Sequence, residues 1–287
     1  MKTKHLRLMQ RTYIILFFGF MYLPIAYMIL FSFNESKGYA LFTGFTLKWY
    51  ESLLHNSSIL RALAVSIEVA LVSAVAATVL GTAASLGIAG MKRTSRLLIT
   101  NVTYIPVVNP EIITGISLML LFVAYQRFAA GVSWLPDTIM GLPTLLIAHV
   151  AFNVPYVIFN VSPKLRQLDV HLYEAALDLG CDPRQAFFKV ILPEISPAIL
   201  SSFLICLTYS IDDFMISYFN CGTVETLPIA IYSMTRRKVS PEIYALSTIM
   251  FAAILAVILI SNAAEGRRYR RDLTAQQRAQ RGEEGAR

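Results

Sequence analysis

The sequence predicts an all-α, polytopic membrane protein with six transmembrane helices, and three observations carry that reading. Of its 287 residues, 56% are apolar and only 15% charged, and the mean hydropathy is +0.57, which is not the balance of a soluble domain. The apolar residues gather into blocks close to the roughly 20 residues that a bilayer-crossing helix needs. The formal charge of +7 comes from basic residues beside those blocks, where membrane proteins concentrate them on one face. The basic balance therefore points to the bilayer and not to nucleic acid.

Residues 1–12 form a basic N-terminus (Lys2, Lys4, Arg7, Arg11). The first span, about Tyr13–Phe33, is too long for a signal-peptide core and lacks a small-residue cleavage site, so it stays as an anchor. A mixed loop, Asn34–Leu60, carries Tyr39, Phe42, Phe45, Trp49 and Tyr50, which suit a membrane interface. The second span, about Ala62–Gly90, holds Ala70, Ser73, Ala74, Ala77, Gly81, Ala84 and Gly87, small residues that let helix backbones approach closely. Lys92, Arg93 and Arg96 precede the third span, about Leu97–Tyr125, which Pro106 and Pro110 interrupt. Such a break is tolerated where protein or water satisfies the released backbone.

A short loop with Trp134 and Pro136 leads to the fourth span, about Ile139–Val161. The fifth, about Pro197–Asn220, and the sixth, about Ile243–Ala263, complete a membrane domain of residues 13–263, with the loop Cys221–Glu242 between them. The Arg-rich tail, residues 264–287, is polar and without apolar periodicity, and reads as disordered or surface-bound. Cys181, Cys206 and Cys221 sit at different depths with no CxxC spacing, so neither a disulfide framework nor a metal centre is expected.

The one long polar segment between spans, residues 168–195, has a complete local grammar. Leu168, Leu172, Ala175, Ala176 and Leu179 share a helical face, with Asp169, Glu174 and Asp178 elsewhere. Gly180 is the stop signal. Asp182 is an N-cap, Pro183 the first helical residue and Gln185 the partner of a capping box. A second short helix carries Ala186, Phe187, Val190 and Ile191 on one side, and Leu192-Pro193 is expected to end it. This helical hairpin has more acid than base, which argues against DNA readout. Its apolar stripe suits a groove on a soluble partner.

Lys and Arg set the topology. The N-terminus, the turn at 92–96, the hairpin loop and the tail hold 18 of the 25, placing both termini and the hairpin in the cytoplasm. Arg236, Arg237 and Lys238 depart from this pattern in an outside loop, either as solvated charge or as a contact for an acidic patch on an external partner.

Four carboxylates fall inside spans: Glu68, Glu111, Asp212 and Asp213, with no Lys or Arg well inside any span. A charge at the bilayer centre costs about 2.5–3.5 kcal/mol even on the lenient insertion scale. These groups are therefore expected to be protonated, hydrogen-bonded or offset by a passing cation. Ser202, Cys206, Tyr209, Asp213 and Asn220 fall on one face of the fifth span, with Asp212 beside it, and read as a pathway lining. Glu111 follows Pro110 at the break in the third span, where released carbonyls add negative potential. His149, alone on the fourth span, reads as a packed, hydrogen-bonded residue.

Glu174-Ala175-Ala176, Gly180, Val190 and Leu192-Pro193 resemble the EAA loop of ABC-importer permeases of the MetI-like type I family, with Val190 where isoleucine is usual. The span-five run Ser210–Phe214 with Ser217, then Leu227-Pro228, Ile231–Met234, Val239–Glu242 and Ala245–Thr248, is similar to spermidine/putrescine permeases of the PotC type, from about Tyr13 to Ile260. Glu68 and Lys238 depart from that pattern. The resemblance implies the type I importer permease fold, in a bacterial inner membrane, with polyamine as cargo. It also implies a second permease subunit, two ATPase subunits that carry ATP and magnesium, and an extracytoplasmic polyamine-binding protein. Glu174, Ala175, Ala176, Gly180, Asp182, Phe187, Leu192 and Pro193 would dock on the ATPase. Glu111, Tyr209, Asp212, Asp213 and Ser217 would line the substrate path; Glu68 is added to that path, and Arg236, Arg237 and Lys238 to a contact with the binding protein, from their charge alone.

No phosphate-binding G-x-x-x-x-G-K-[ST], HExxH or G-x-S-x-G run is present, so the chain is expected to be a transport subunit without ATPase or hydrolase chemistry or a cofactor of its own. Two alternatives stay open: a permease for another cation such as ferric iron or thiamine, and a proton-coupled secondary transporter, since membrane carboxylates also relay protons.

Overall fold

The computed structural model describes residues 2–36, 41–131, 139–237, 241–256 and 259. Tyr39, Trp134, Pro136, Lys238 and the tail 264–287 lie outside the described residues. Helices are α1 (Lys2–Ser32), α2 (Lys48–His55), α3 (Ser57–Ala89), α4 (Arg93–Val108), α5 (Glu111–Ala129), α6 (Leu142–Gln167), α7 (Val170–Asp178), α8 (Pro183–Ala186), α9 (Leu192–Asp212), α10 (Met215–Asn220) and α11 (Leu227–Arg237), and a further apolar helix, α12, covers Pro241–Ala256. Among the described residues, five stretches are long and apolar enough to cross a membrane: Met9–Ser32, Ser57–Ala89, Glu111–Ala129, Leu142–Gln167 and Pro183–Asp212. The shorter α12 falls where the sixth span is expected, which is compatible with six spans.

The described residues fall into two compact units, those within 57–233 and those within 1–56 and 234–287. The core of the first is the mutual packing of α3, α6 and α9. Ala74, Ala77, Val157, Val161 and Cys206 are fully buried there, flanked by Val154, Ile199 and Phe203. The small residues of α3 serve this contact: a Cβ on Gly81 would lie 2.5 Å from Val157 Cβ, so glycine sets the approach of the two helices. Gly87 faces open space instead. Polar pairs pin the same interface, with Ser73 Oγ 3.1 Å from Ser210 Oγ and Asn153 Nδ2 donating to Ser210 Oγ at 2.7 Å. A second cluster, Phe122, Ala148, Phe152 and Ile216, joins α5, α6 and α10.

Two spans are broken, the third as expected and the fifth against expectation. The third is α4 and α5, separated at Asn109-Pro110, as the two prolines suggest. The fifth runs only to Asp212, and α10 begins again at Met215. Conversely, Leu192-Pro193 does not end the hairpin's second helix. A π-turn at Phe187–Ile191 leads directly into α9, with Leu192 N donating to Phe187 O. The widened turn makes room for the Pro193 ring and has no use for its missing N–H.

In the other unit, the stretch expected to be a loop is ordered by Asn34, which is buried. Its Oδ1 accepts from Thr43 N at 2.8 Å and its Nδ2 donates to Leu41 O at 3.0 Å, while Trp49 Nε1 donates to Asn34 O at 2.7 Å. These bonds, with an antiparallel bridge between Asn34 and Phe45, hold 34–36 and 41–47 together beside amphipathic α2, which buries Trp49 and Leu53.

Candidate functional site

Local capping chemistry shapes the hairpin. The Asp169 carboxylate accepts from His171 N at 3.0 Å and starts α7. Gly180 takes φ +86, with Gly180 N donating to Leu177 O at 2.9 Å and Cys181 N to Ala176 O at 3.1 Å. That paired closure needs a left-handed residue, which glycine adopts without cost to a side chain. Asp182 Oδ1 accepts from Gln185 N at 2.8 Å ahead of Pro183. Gln185 contributes its backbone N–H to this cap, and no return bond from its side chain is among the described hydrogen bonds. Ala176 and Ala186 are buried, whereas Glu174, Ala175, Leu172, Leu179 and Phe188 are exposed, Leu179 to 86%. Phe187 is half-buried, its ring 5.1 Å from that of Phe188. The hairpin thus presents an apolar face beside a carboxylate.

From Pro183 the chain stays helical to Asp212, 30 residues, or about 45 Å at 1.5 Å per residue. Leu192 and Pro193 lie inside this rod. At its far end the two broken spans meet. A Cβ on Gly115 of α5 would lie 3.2 Å from Met215 O and 3.4 Å from Ile216 Cα of α10, and Asn220 Nδ2 donates to Gly115 O at 3.2 Å. Glu111, exposed in the first turn of α5, lies within electrostatic reach of Asp212 and Asp213.

The adjacent acids are not equivalent. Asp212 is exposed. Asp213 is buried, with Oδ1 accepting from Ile216 N at 3.2 Å and Oδ2 from Ser217 N at 2.7 Å; it caps α10. His149 of α6 holds Nε2 3.0 Å from Ser217 Oγ and 3.6 Å from Asp213 Oδ2. Among the described residues no Lys or Arg pairs with these acids, and His149 is the packed, hydrogen-bonded residue that was expected, with Asp213 as a neighbour that the sequence did not reveal.

The expected pathway stripe also divides. Ser202, Cys206, Ser217 and Asn220 are buried, and Asn160 Nδ2 donates to Ser202 Oγ at 3.0 Å, so these residues bind helices together. Tyr209 is 44% exposed, its ring 4.9 Å from that of Tyr156. Tyr156 is within electrostatic reach of Glu111. Glu111, Asp212, Tyr209 and Tyr156 therefore form an acidic, aromatic surface beside the capped Asp213, suited to an organic cation. Glu68 stands apart from this group as an exposed residue of α3. Arg236 is exposed at the end of α11, and the side chains of Arg237 and Lys238 lie outside the described residues.

Tyr156 and the partnership of His149 were missed in the sequence. The signal was present: His149, Asn153, Tyr156 and Asn160 recur at helical spacing on a membrane span.

Residues 77–271 match the family model described as binding-protein-dependent transport system inner membrane component. The chain is similar to the putrescine transport system permease protein PotI of Escherichia coli K12, at 38% identity over 272 residues, 94% of this chain and 95% of the relative. It is similar to the spermidine/putrescine transport system permease protein PotC of the same strain, at 32% over 256 residues, 89% and 93% of the two chains. Among solved structures, a chain of a bacterial alginate ABC transporter in complex with alginate pentasaccharide-bound periplasmic protein matches with TM-score 0.68 at 16% identity, covering 90% of this chain and 92% of that one. That likeness concerns the fold.

Proposed function

The chain belongs to the family of binding-protein-dependent transport system inner membrane components, and from that membership we propose that it is the permease subunit of an ATP-driven importer of polyamines. The observation that carries the coupling is the unbroken helix from the hairpin, through Pro183, to Asp212. The hairpin presents its exposed apolar face and Glu174 to an ATPase subunit in the cytoplasm. Closure of two ATPase subunits pushes on one end of the rod. The other end carries Asp212 into the break where α9, α10 and α5 meet, so a movement at the hairpin changes the surroundings of the carboxylates.

Polyamine cargo is supported by the putrescine and spermidine/putrescine relatives and by the chemistry of the cluster. A polyamine carries several ammonium groups, each of which sheds water on entering a low-dielectric path. Glu111 and Asp212 replace part of that hydration, and Tyr209 and Tyr156 offer ring faces worth about 0.5–2 kcal/mol to a cation. Asp213 keeps α10 in place beneath them. A second permease subunit completes the path. An extracytoplasmic polyamine-binding protein delivers the substrate on the side of Arg236, Arg237 and Lys238. The basic residues counted above orient both termini inward.

Uptake of labelled putrescine and spermidine by cells with and without this chain tests the cargo. The proposal requires energy-dependent uptake that vanishes with the chain and returns with it. Unchanged polyamine uptake, alongside loss of uptake of another cation, would overturn it.

A further inference from the structure

At the root of the hairpin, the ends of α3 and α6 and the start of α4 enclose a cleft lined by Ser85, Arg96, Ser162, Leu165, Arg166 and Leu168. Arg96 is fixed there by two bonds from Nη2, to Ala89 O at 2.7 Å and Met91 O at 2.9 Å, which close the end of α3. Its Nε is buried without a hydrogen-bond partner, and so is Ser162 Oγ. Arg166 is exposed and makes no ion pair among the described residues. The nearby Glu194 of α9 is held by Lys164 at 3.1 Å, and no carboxylate lines the cleft. Two arginines and Ser162 thus line one cleft, with Arg96 Nε and Ser162 Oγ unpartnered and no acid among the lining residues. A buried donor without a partner costs free energy that a bound acceptor recovers, and guanidinium groups match phosphate oxygens in geometry.

We propose that this cleft binds the phosphate of an anionic phospholipid from the hairpin-side leaflet, through Arg96, Arg166 and Ser162. Lipid is favoured by the surroundings. Ile88, Ala89, Leu165 and Leu168 make much of the lining apolar. Beyond the cleft α4 runs on with Leu97, Leu98 and Val102 exposed, at 64%, 63% and 55%, a surface for acyl chains. Lys92 and Arg93, both exposed in the adjoining turn, add attraction for an anionic leaflet. Leu168 ends α6 immediately before Asp169 starts the hairpin, so a bound headgroup braces the hinge on which the hairpin is carried. The regulatory consequence rests on the coupling role proposed above.

The test uses the importer assembled with its partner subunits, in phosphatidylcholine bilayers with and without phosphatidylglycerol. Retained lipid is read by native mass spectrometry, and ATP-driven putrescine uptake is measured in parallel. Retention of phosphatidylglycerol is expected to fall about fivefold in Arg166→Gln and further in Arg96→Gln/Arg166→Gln. Because Arg96 also closes α3, Ser162→Leu serves as a second variant that fills the cleft and keeps both charges; it is expected to lose retention too. Inorganic phosphate added to phosphatidylcholine bilayers is expected not to substitute for the lipid; if it restores the phosphatidylglycerol-dependent uptake, the ligand is free phosphate and the lipid assignment fails. Unchanged retention in Arg166→Gln and Ser162→Leu overturns the site. Retention unchanged with loss of the co-purifying ATPase subunit overturns it in favour of a protein contact. An importer that moves no polyamine yet holds phosphatidylglycerol through these residues sinks the proposed cargo alone.

Discussion

His149 Nε2 lies 3.6 Å from the carboxylate of Asp213, with Ser217 Oγ 3.0 Å from the same nitrogen. This contact joins α6 to the start of α10 and makes Asp213 the fastening of a helix break. Asp213→Ala would leave the Ile216 and Ser217 N–H groups without their acceptor, at a cost of about 1–2 kcal/mol for a lost cap. A lower Tm of the purified complex is expected for Asp213→Ala and His149→Ala. His149→Gln, which retains a hydrogen-bonding group toward Ser217, is expected to recover part of it. Parental melting in both alanine variants would remove the fastening role.

Gly180 has φ +86, and a Cβ there meets nothing within 4 Å. The cost of a side chain is therefore backbone strain alone, about 1–2 kcal/mol for a left-handed non-glycine residue. Gly180→Val is expected to reach the membrane but lose most ATP-driven uptake and hold the ATPase subunit weakly. Gly180→Asn, which tolerates this conformation, is expected to transport. Equal transport by the valine variant would show that the turn geometry is unimportant for coupling.

These two positions illustrate what the sequence makes legible. Gly180, Asp182 and Pro183 declare a turn because their effects are local: one residue supplies a positive φ, one an acceptor, one a fixed φ. The Asn109-Pro110 break is legible for the same reason. Asp213 is not. Its carboxylate competes with the backbone for the N–H groups of the next turn, and nothing in an apolar run distinguishes such an acid from one lining a path. Leu192-Pro193 misleads for a different reason. Proline stops a helix with four-residue bonds, but the π-turn before it shifts the bonding pattern and removes the conflict. The burial of Asn34 depends on chain partners from Leu41 to Trp49, and such cooperation leaves no periodicity to read.

The approach of α3 to α6 gives a test of packing. Gly81→Ala would put its Cβ 2.5 Å from Val157 Cβ, and overpacking of this kind costs about 1–3 kcal/mol. Val157→Gly in the same chain, which removes that Cβ and the Cγ1 at 2.8 Å, is expected to restore part of the loss, a coupling detectable as non-additive shifts in Tm. Strict additivity would contradict the close contact.

Orientation is tested by labelling after Cys181, Cys206 and Cys221 are replaced. A cysteine at the exposed Ser58 is expected to react with an impermeant reagent in intact cells, and one at the exposed Gln185 only after permeabilisation. Labelling at Gln185 in intact cells would reverse the assigned sidedness and remove the ATPase from the hairpin.

The most direct measurement of the central claim is polyamine uptake with simultaneous ATP hydrolysis in proteoliposomes holding the assembled importer. Asp212→Asn and Glu111→Gln keep side-chain shape, and both acids are exposed, so assembly and Tm are expected to stay at parental values. The account predicts that each variant cuts putrescine and spermidine uptake at least about tenfold, the equivalent of losing one charged contact worth about 1.4 kcal/mol, while ATP hydrolysis continues. Parental uptake in both neutral variants would contradict it and leave the carboxylates without a part in moving a cation.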